Sequence, residues 1–507
     1  VLYSGSKDTY RIIENKLRVF NQIIQYVNEY YYEDVDMDKT WNGAFHGFME
    51  KLDPHSVYIP PKKQEEIDEI FRGKFQGIGI EFDVLEGYIT VIAPVADSPS
   101  ERVGLQPGDR IIEIDGEDAY GITKDEVMKT LRGPKGTSVD LKIARIGSKP
   151  FEVTIIRDVI PIYSVRAALM LDDQTGYIWL TRFTATSSEE IRNALKKLDD
   201  SGMKRMILDL RNNSGGFLVQ AAEIANMFIT TRDTLVYTIG KHNNTKEVFL
   251  AKPSKGRADF PLIILLNRGS ASASEIVAGA VQDLDRGLIV GETSFGKGLV
   301  QRQFGLRDGS AIRVTIARYY TPSGRLIQRP FEDGNTRQYY AELYKQNRET
   351  IIDSLKELRP KFKTRNGRTV YGGGGITPDE YIPWELKLQK STQKLIGNPK
   401  RPLFNWGTMF VSQNTDSLEN YEDFRDSWTI ADGQFDRFLQ HLNELEIEPD
   451  STEWVTDEEY IKNIIKSMMP GGSVIGCPKI RTIQLLNSQE KEGHYRFDNI
   501  FKTDILF

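Results

Sequence analysis

Pro261-Leu262-Ile263-Ile264-Leu265-Leu266-Asn267 runs through Arg268 into Gly269-Ser270-Ala271-Ser272-Ala273-Ser274-Glu275. The apolar run predicts a buried strand, and the Gly/Ser turn after it predicts a sharp entry into a helix. Such a turn can hold a hydroxyl beside a helix N-terminus, where unpaired amides favour a developing negative charge. Further on, Gly291-Glu292-Thr293-Ser294-Phe295-Gly296-Lys297-Gly298 sets a lysine in a glycine frame. A lysine in a dry pocket beside that hydroxyl can lose its proton and act as a base. The two stretches together read as serine–lysine hydrolytic chemistry.

The chain has 507 residues, 27% charged and 39% hydrophobic, the composition of an ordinary globular protein with room for several cores. A net charge of −6 argues against a dedicated nucleic-acid binder. No apolar run is long enough to cross a bilayer. The start, Val1-Leu2-Tyr3-Ser4-Gly5, has neither Met nor a signal-like stretch, so a mature or trimmed chain with its export signal absent is expected. One cysteine, Cys477, excludes an intrachain disulfide and a cysteine-based metal cluster. No metal or cofactor is expected.

Residues 8–31 carry Ile13, Leu17, Phe20, Ile24 and Val27 at helical spacing. Helices are also expected over 38–52 and 62–72. This region reads as a helical cap on the next domain or as a dimerisation arm, hence a possible homodimer. From Phe75 the pattern shifts to short strands with glycine punctuation: 76–82, 88–92, 110–116 and 138–143, with helices at 98–105 and 125–131. With Gly104-Leu105-Gln106-Pro107-Gly108-Asp109-Arg110-Ile111 at its centre, the span from about 75 to 158 resembles a PDZ domain. Such domains add a peptide C-terminus as a strand and hold its carboxylate on backbone amides. Here the resemblance puts that role on Gln76, Gly77, Ile78, Gly79 and Ile80.

From about 160 to 327 strands and helices alternate, as in an α/β core. Strands are expected at 175–181, 205–210, 299–304 and 311–320, and helices at 218–228 and 274–283. A single charged helix is expected over 338–357. In the tail, helices are expected at 433–445 and 457–469, without a chemical reading.

The order of the PDZ-like module, Leu208-Asp209-Leu210-Arg211-Asn212-Asn213-Ser214-Gly215-Gly216, the serine elbow and Gly296-Lys297-Gly298-Leu299-Val300-Gln301 resembles the carboxyl-terminal processing proteases. That resemblance spans about 52 to 379. It implies an α+β multidomain chain: an N-terminal helical region (1–73), a PDZ domain (74–159), an α/β catalytic core of the ClpP/crotonase-like type (160–385, with a helical insert at about 335–365), and a C-terminal extension (386–507). It also implies Ser272 as nucleophile, Lys297 as base, Gln301 as its companion, oxyanion amides from Gly215 or Gly216 and from Ala273, and Arg132 as a link between PDZ docking and catalysis. Ser214 departs from the glycine or proline of many members, and the insert and tail exceed the common pattern. Expected partners are proteins with apolar C-terminal tails, and the expected setting is the bacterial cell envelope.

Alternatives follow from the same residues. Ser270 or Ser274 could be the nucleophile, although Ser274 suits a helix cap. None of His46, His55, His242, His441 and His494 sits in a glycine-framed motif, so each reads as structural or exposed. Asp209 and Arg211 read as ordering the oxyanion loop. Residues 291–297 satisfy most of a phosphate-binding loop, but Gly298 stands where a Ser/Thr would hold Mg²⁺ and a strand follows instead of a helix. A catalytically inactive PDZ scaffold that only binds C-termini is the remaining alternative.

Overall fold

The computed structural model describes residues 7–241, 245–252, 260–331, 336–345, 348–354, 356–382, 389–413, 430–448, 457–458 and 461–462. They form two compact units, one drawn from Val1–Glu65, Gln301–Thr315 and Phe331–Ala341, the other from Glu66–Val300, Ile316–Pro330 and Glu342–Phe507.

In the first unit, helices Lys7–Tyr30 and Met37–Met49 precede the strand Val57–Ile59, which pairs antiparallel with residues 311–313. Rings link these elements: Phe20 meets Trp41 edge-on at 5.4 Å, Trp41 stacks on Phe45, and Phe45 lies 4.9 Å from Tyr58. Only part of the predicted stripe finds cover, since Phe20, Ile24 and Val27 are half-buried while Ile13 and Leu17 stay exposed. The Asp53 carboxylate closes the turn after the second helix, accepting the amides of His55 and Ser56 and the Ser56 hydroxyl. Burial opposes its ionisation, but these bonds outweigh burial and hold its pKa below the usual value.

In the second unit, five antiparallel strands run in the order Ile80–Leu85, Tyr88–Pro94, Arg110–Ile114, Ser138–Ala144, Phe151–Ile156. They pack on helix Lys124–Leu131, whose capping box pairs Thr123 with Glu126. Ile89, Ile111, Val127, Leu141 and Ile155 fill the core between them. The strand expected over 76–82 is broken at Gly79, where φ is +82°. Lys74–Gly77 instead pairs with Asp158–Pro161, outside that sheet.

The α/β core is a sheet in which Thr175–Leu180, Arg205–Asp209, Leu262–Leu266, Leu288–Gly291 and Glu380–Tyr381 lie parallel, with Val165–Met170 antiparallel at one edge. Strand alternation divides its side chains. Ile178, Leu208 and Ile264 enter the large core with helices Ser187–Asp200, Leu218–Phe228 and Ala273–Asp283, while Tyr177, Ile207 and Leu265 face the other way. Three neighbouring parallel strands run at their C-terminal ends into the glycine loop, the serine elbow and the lysine loop. In open parallel sheets that end is where sites form. Leu299–Gly305 and Ala311–Tyr320 are strands as expected, but they belong to a separate antiparallel sheet.

The expected helix over 338–357 is four short pieces, Thr336–Ala341, Glu342–Tyr344, Arg348–Ser354 and Lys356–Leu358. Charge density suggests one helix, but Arg348 and Arg359 of this region are bonded to carbonyls of neighbouring loops. In the tail, Lys390–Ile396, Pro402–Gln413 and Asp432–Glu444 share a core built on Leu395, Leu403, Trp406, Phe438 and Leu442. The helix expected over 457–469 lies largely outside the described residues. Among them no helix is long and apolar enough to cross a membrane.

Gly79 gives a direct test of this turn. A Cβ there would fall 2.3 Å from Ser98 Cβ, with φ already positive. Gly79→Ala should cost more than about 1 kcal/mol, measured as an earlier denaturant midpoint for this domain; an unmoved midpoint would contradict the turn geometry.

Candidate active site

Ser272 ends the turn after the Leu262–Leu266 strand and directly precedes helix Ala273–Asp283. Its backbone is strained, with φ 55° and ψ −110°, a conformation that costs a non-glycine residue of order 1–3 kcal/mol. Strained strand-to-helix turns of this kind push a hydroxyl out of the fold. Of residues 270–283, Ser272 alone is not buried. The other two serines are committed elsewhere. Ser270 Oγ donates to the Leu210 carbonyl at 2.8 Å, and Ser274 Oγ to the Asn213 carbonyl at 2.8 Å. The expectation that Ser274 caps the helix is corrected: the helix begins one residue earlier, so Ser272 holds the cap position.

Glu275, three residues into the elbow, is fully buried. Its Oε2 accepts the Ser272 amide at 2.7 Å and the Lys297 amide at 2.9 Å. Its Oε1 accepts the Gly296 amide at 2.7 Å and the Ser294 hydroxyl at 2.5 Å. The amides of Ser272 and Lys297 are therefore no further apart than two hydrogen bonds laid end to end, although 25 positions separate them in the chain. Burial pushes the Glu275 pKa above the usual glutamate value despite the pull of its four donors. The sequence reading quoted Glu275 and gave it no role; an acidic residue one turn past a serine elbow was the available signal.

The lysine loop is pinned along its length. Ser294 donates its amide to Ile376, Phe295 to Ser270, Gly296 and Lys297 to Glu275, and Gly298 to the Gln328 side chain. Five consecutive amides are thus spent on protein acceptors, and a carboxylate sits where a phosphate would need them. That arrangement speaks against a phosphate-binding loop. Lys297 itself is half-buried.

Gly215 packs so closely on the elbow that a Cβ would lie 2.8 Å from Ser272 Cβ and 2.9 Å from the Ala273 nitrogen. Its amide donates to Asn213 Oδ1 at 2.9 Å. Among the described residues neither Gly216 nor Ala273 donates its amide to a protein acceptor. Asn213 also donates to the Leu180 carbonyl and accepts the Ala271 amide on its own carbonyl. Asn212 and Asn267 exchange hydrogen bonds at 2.9 Å, lashing the glycine loop to the elbow. Under this loop lies Asp209, fully buried, held by Arg211 through both oxygens and by the Tyr177 hydroxyl at 2.7 Å. Burial pulls Arg211 down, but Asp209 outweighs it and the guanidinium stays charged. Tyr319 Oη donates to the Ser272 carbonyl at 3.1 Å. The asparagines and both tyrosines were missed in the sequence reading, because their partners come from distant strands.

Gln301 falls in the first unit, where its Nε2 donates to the His55 carbonyl. The His55 ring is itself set between the hydroxyls of Tyr339 and Tyr340. His242 and His494 lie outside the described residues.

Of the predicted peptide-binding residues, Gln76 and Gly77 lie on the strand paired with Asp158–Pro161, and Gln76 Oε1 accepts the Lys135 amide at 2.7 Å. Ile78 is buried in the PDZ core. Among the described residues the amides of Ile78 and Gly79 meet no protein acceptor. Ile80 opens the strand at the edge of its sheet. Arg132 pairs with Glu69 and lies 5.0 Å over the Phe75 ring. Two residues beyond Glu69, the Phe71 ring packs 4.9 Å from Phe217, next to Gly216.

Residues 174–339 match peptidase family S41, and residues 90–145 match the PDZ domain family. The carboxy-terminal processing protease CtpA of Bacillus subtilis (strain 168) is 34% identical over 317 residues, covering 62% of this chain and 67% of that protein. A carboxy-terminal-processing protease of Bartonella bacilliformis is 37% identical, covering 64% and 74%, and one of Synechocystis sp. is 40% identical, covering 53% and 64%. The chain belongs to peptidase family S41, as a serine peptidase of the carboxyl-terminal processing type.

Glu275→Gln would turn an amide group toward donors that now meet a carboxylate. We expect kcat to fall roughly 100-fold and stability to drop by about 1–3 kcal/mol, read from turnover and denaturant titration. Unchanged turnover would remove Glu275 from the account.

Proposed function

We propose that this family S41 peptidase captures the C-terminal tail of a protein on its PDZ domain and cleaves the chain through an acyl-enzyme on Ser272. One observation carries the reading: a single buried carboxylate oxygen receives the amides of both Ser272 and Lys297. The serine is also the one partly exposed residue between Ser270 and Asp283.

In this mechanism neutral Lys297 takes the proton of Ser272 Oγ as that oxygen attacks the scissile carbonyl. The proton passes to the leaving amine, and the ester remains on Ser272. Water then gives a proton to Lys297 and attacks the ester, and the serine recovers its proton as the new carboxyl product leaves. The Ala273 amide, at the N-terminus of its helix, and the Gly216 amide are the oxyanion donors. Gly215 serves by its small size, because its own amide is bonded to Asn213. Gln301 is the third member by family resemblance, four residues after the lysine, and its Nε2 donates to the His55 carbonyl.

For the tail, the amides of Ile78 and Gly79 take the terminal carboxylate and the edge of Ile80–Leu85 takes the peptide as an added strand. Substrates are proteins with apolar C-termini. Arg132 pairs with Glu69 and Phe71 packs on Phe217, so one short stretch of helix touches both the PDZ domain and the residue after the oxyanion loop, which supports gating of cleavage by tail capture. The exposed Ile12, Ile13, Leu17 and Ile23 of the first helix suit a homodimer contact, and a bacterial envelope setting is what the family resemblance implies. The competing reading is an inactive PDZ scaffold.

Incubation with a denatured protein ending in an apolar tail should release fragments identifiable by mass spectrometry, and Ser272→Ala should release none. Binding without fragments would leave the scaffold reading standing. An ordinary lysine is protonated at neutral pH, so kcat/KM should climb with pH as Lys297 loses its proton; a flat profile on the alkaline side would count against this base. Arg132→Ala should erase the preference for tailed over tail-blocked substrate, and a retained preference would refute the gating path.

A further inference from the structure

The lysine loop has no regular structure between Leu288–Gly291 and Leu299–Gly305, so its shape depends on what grips it. Glu275 grips its amides from one side. On the other side stands Arg348, at the start of the short helix Arg348–Ser354 in the charged insert. Its side chain is buried, with 7% of the residue exposed. One guanidinium nitrogen donates to the Thr293 carbonyl at 2.8 Å and another to the Ser294 carbonyl at 2.7 Å.

We propose that Arg348 is a positioning residue for Lys297, so that the insert serves the catalytic centre by clamping the loop that carries the base. This rests on the serine–lysine reading above. Thr293 and Ser294 are almost wholly buried, and their carbonyls need partners. A planar guanidinium can satisfy two neighbouring carbonyls at once, and its charge makes each bond stronger than a neutral one. The two grips meet on Ser294. Its carbonyl is held by Arg348, its hydroxyl donates to Glu275, and the same hydroxyl oxygen accepts the Ile376 amide at 2.7 Å. Displacing Ser294 would therefore disturb the carboxylate on which the Ser272 and Lys297 amides rest. The insert holds the preceding residue too: Arg268 bonds both Glu292 oxygens and the Leu343 carbonyl. Sequence alone could not show this, since 51 positions separate Arg348 from Lys297 and the segment reads only as a charged helix.

The test uses the full chain with Arg348→Ala and Arg348→Lys, assayed on a denatured protein substrate across pH. Backbone amide exchange of residues 292–300 is followed in parallel by mass spectrometry. For Arg348→Ala we expect kcat to fall about 10- to 100-fold with KM nearly unchanged, and the alkaline limb to move upward as water reaches the lysine. Exchange across 292–300 should quicken, and added guanidinium ion should restore part of kcat. Arg348→Lys, which can serve only one carbonyl well, should lie between; if the alanine variant does not fold, this variant decides. An unmoved alkaline limb with unchanged exchange, or a rise in KM alone, would overturn the assignment. If the parent protein shows no Ser272-dependent cleavage, the functional reading falls, while the exchange measurement still decides whether Arg348 holds the loop.

Discussion

The buried carboxylate of Glu275 is the constraint on which the rest of the centre depends. Placing an acidic group in a dry interior is costly, and it persists here because four donors surround it. Those donors come from the serine elbow and the lysine loop, which are also joined by the Phe295 amide donating to the Ser270 carbonyl. Desolvation thus becomes a fastener: neither loop can move away without stranding a buried carboxylate. The strained backbone of Ser272 is held in place by the same bonds, with Tyr319 gripping its carbonyl from the other side.

A second buried charge acts one layer below. Asp209, Arg211 and Tyr177 form a closed set under the glycine loop, satisfied among themselves. Such a pair adds little net stability over an apolar packing, yet breaking it is expensive. Its value lies in fixing where the loop of residues 211–216 leaves the sheet. Asn213 then hands that geometry to the elbow, through Ala271 and Ser274, and to Gly215. The parallel sheet does the coarse placement and these side chains do the fine placement.

Much of this was legible in the chain itself. An apolar run of strand length followed by Gly-Ser-Ala-Ser could only be a strand-to-helix turn, and the elbow and its helix lie where periodicity placed them. In sequence, resemblance alone favours Ser272 over its neighbours; the structure adds that Ser270 and Ser274 are buried and bonded to backbone carbonyls while Ser272 is partly exposed. What stayed hidden was whatever depends on long-range partners. Asn267 and Tyr319 carry no local mark, and Glu275 and Asn213, although each sits in a recognisable motif, take their roles from partners far away in the chain. Gly79 breaks a stretch that reads as continuous strand because a turn residue between two isoleucines leaves the alternation intact. The insert misled for the opposite reason: its charges have helical density, but Arg348 is buried and Arg359 half-buried, each bonded to a neighbouring loop.

The proposed chemistry turns on Lys297 taking the proton of Ser272. The most direct measurement is the rate at which a serine-directed acylating or phosphonylating reagent modifies the intact protein across pH, with the modified residue located by mass spectrometry. The account predicts one adduct, on Ser272, forming faster as pH rises, with that rise lost in Lys297→Met. An adduct on another serine, or a pH dependence that survives removal of the lysine, would contradict it.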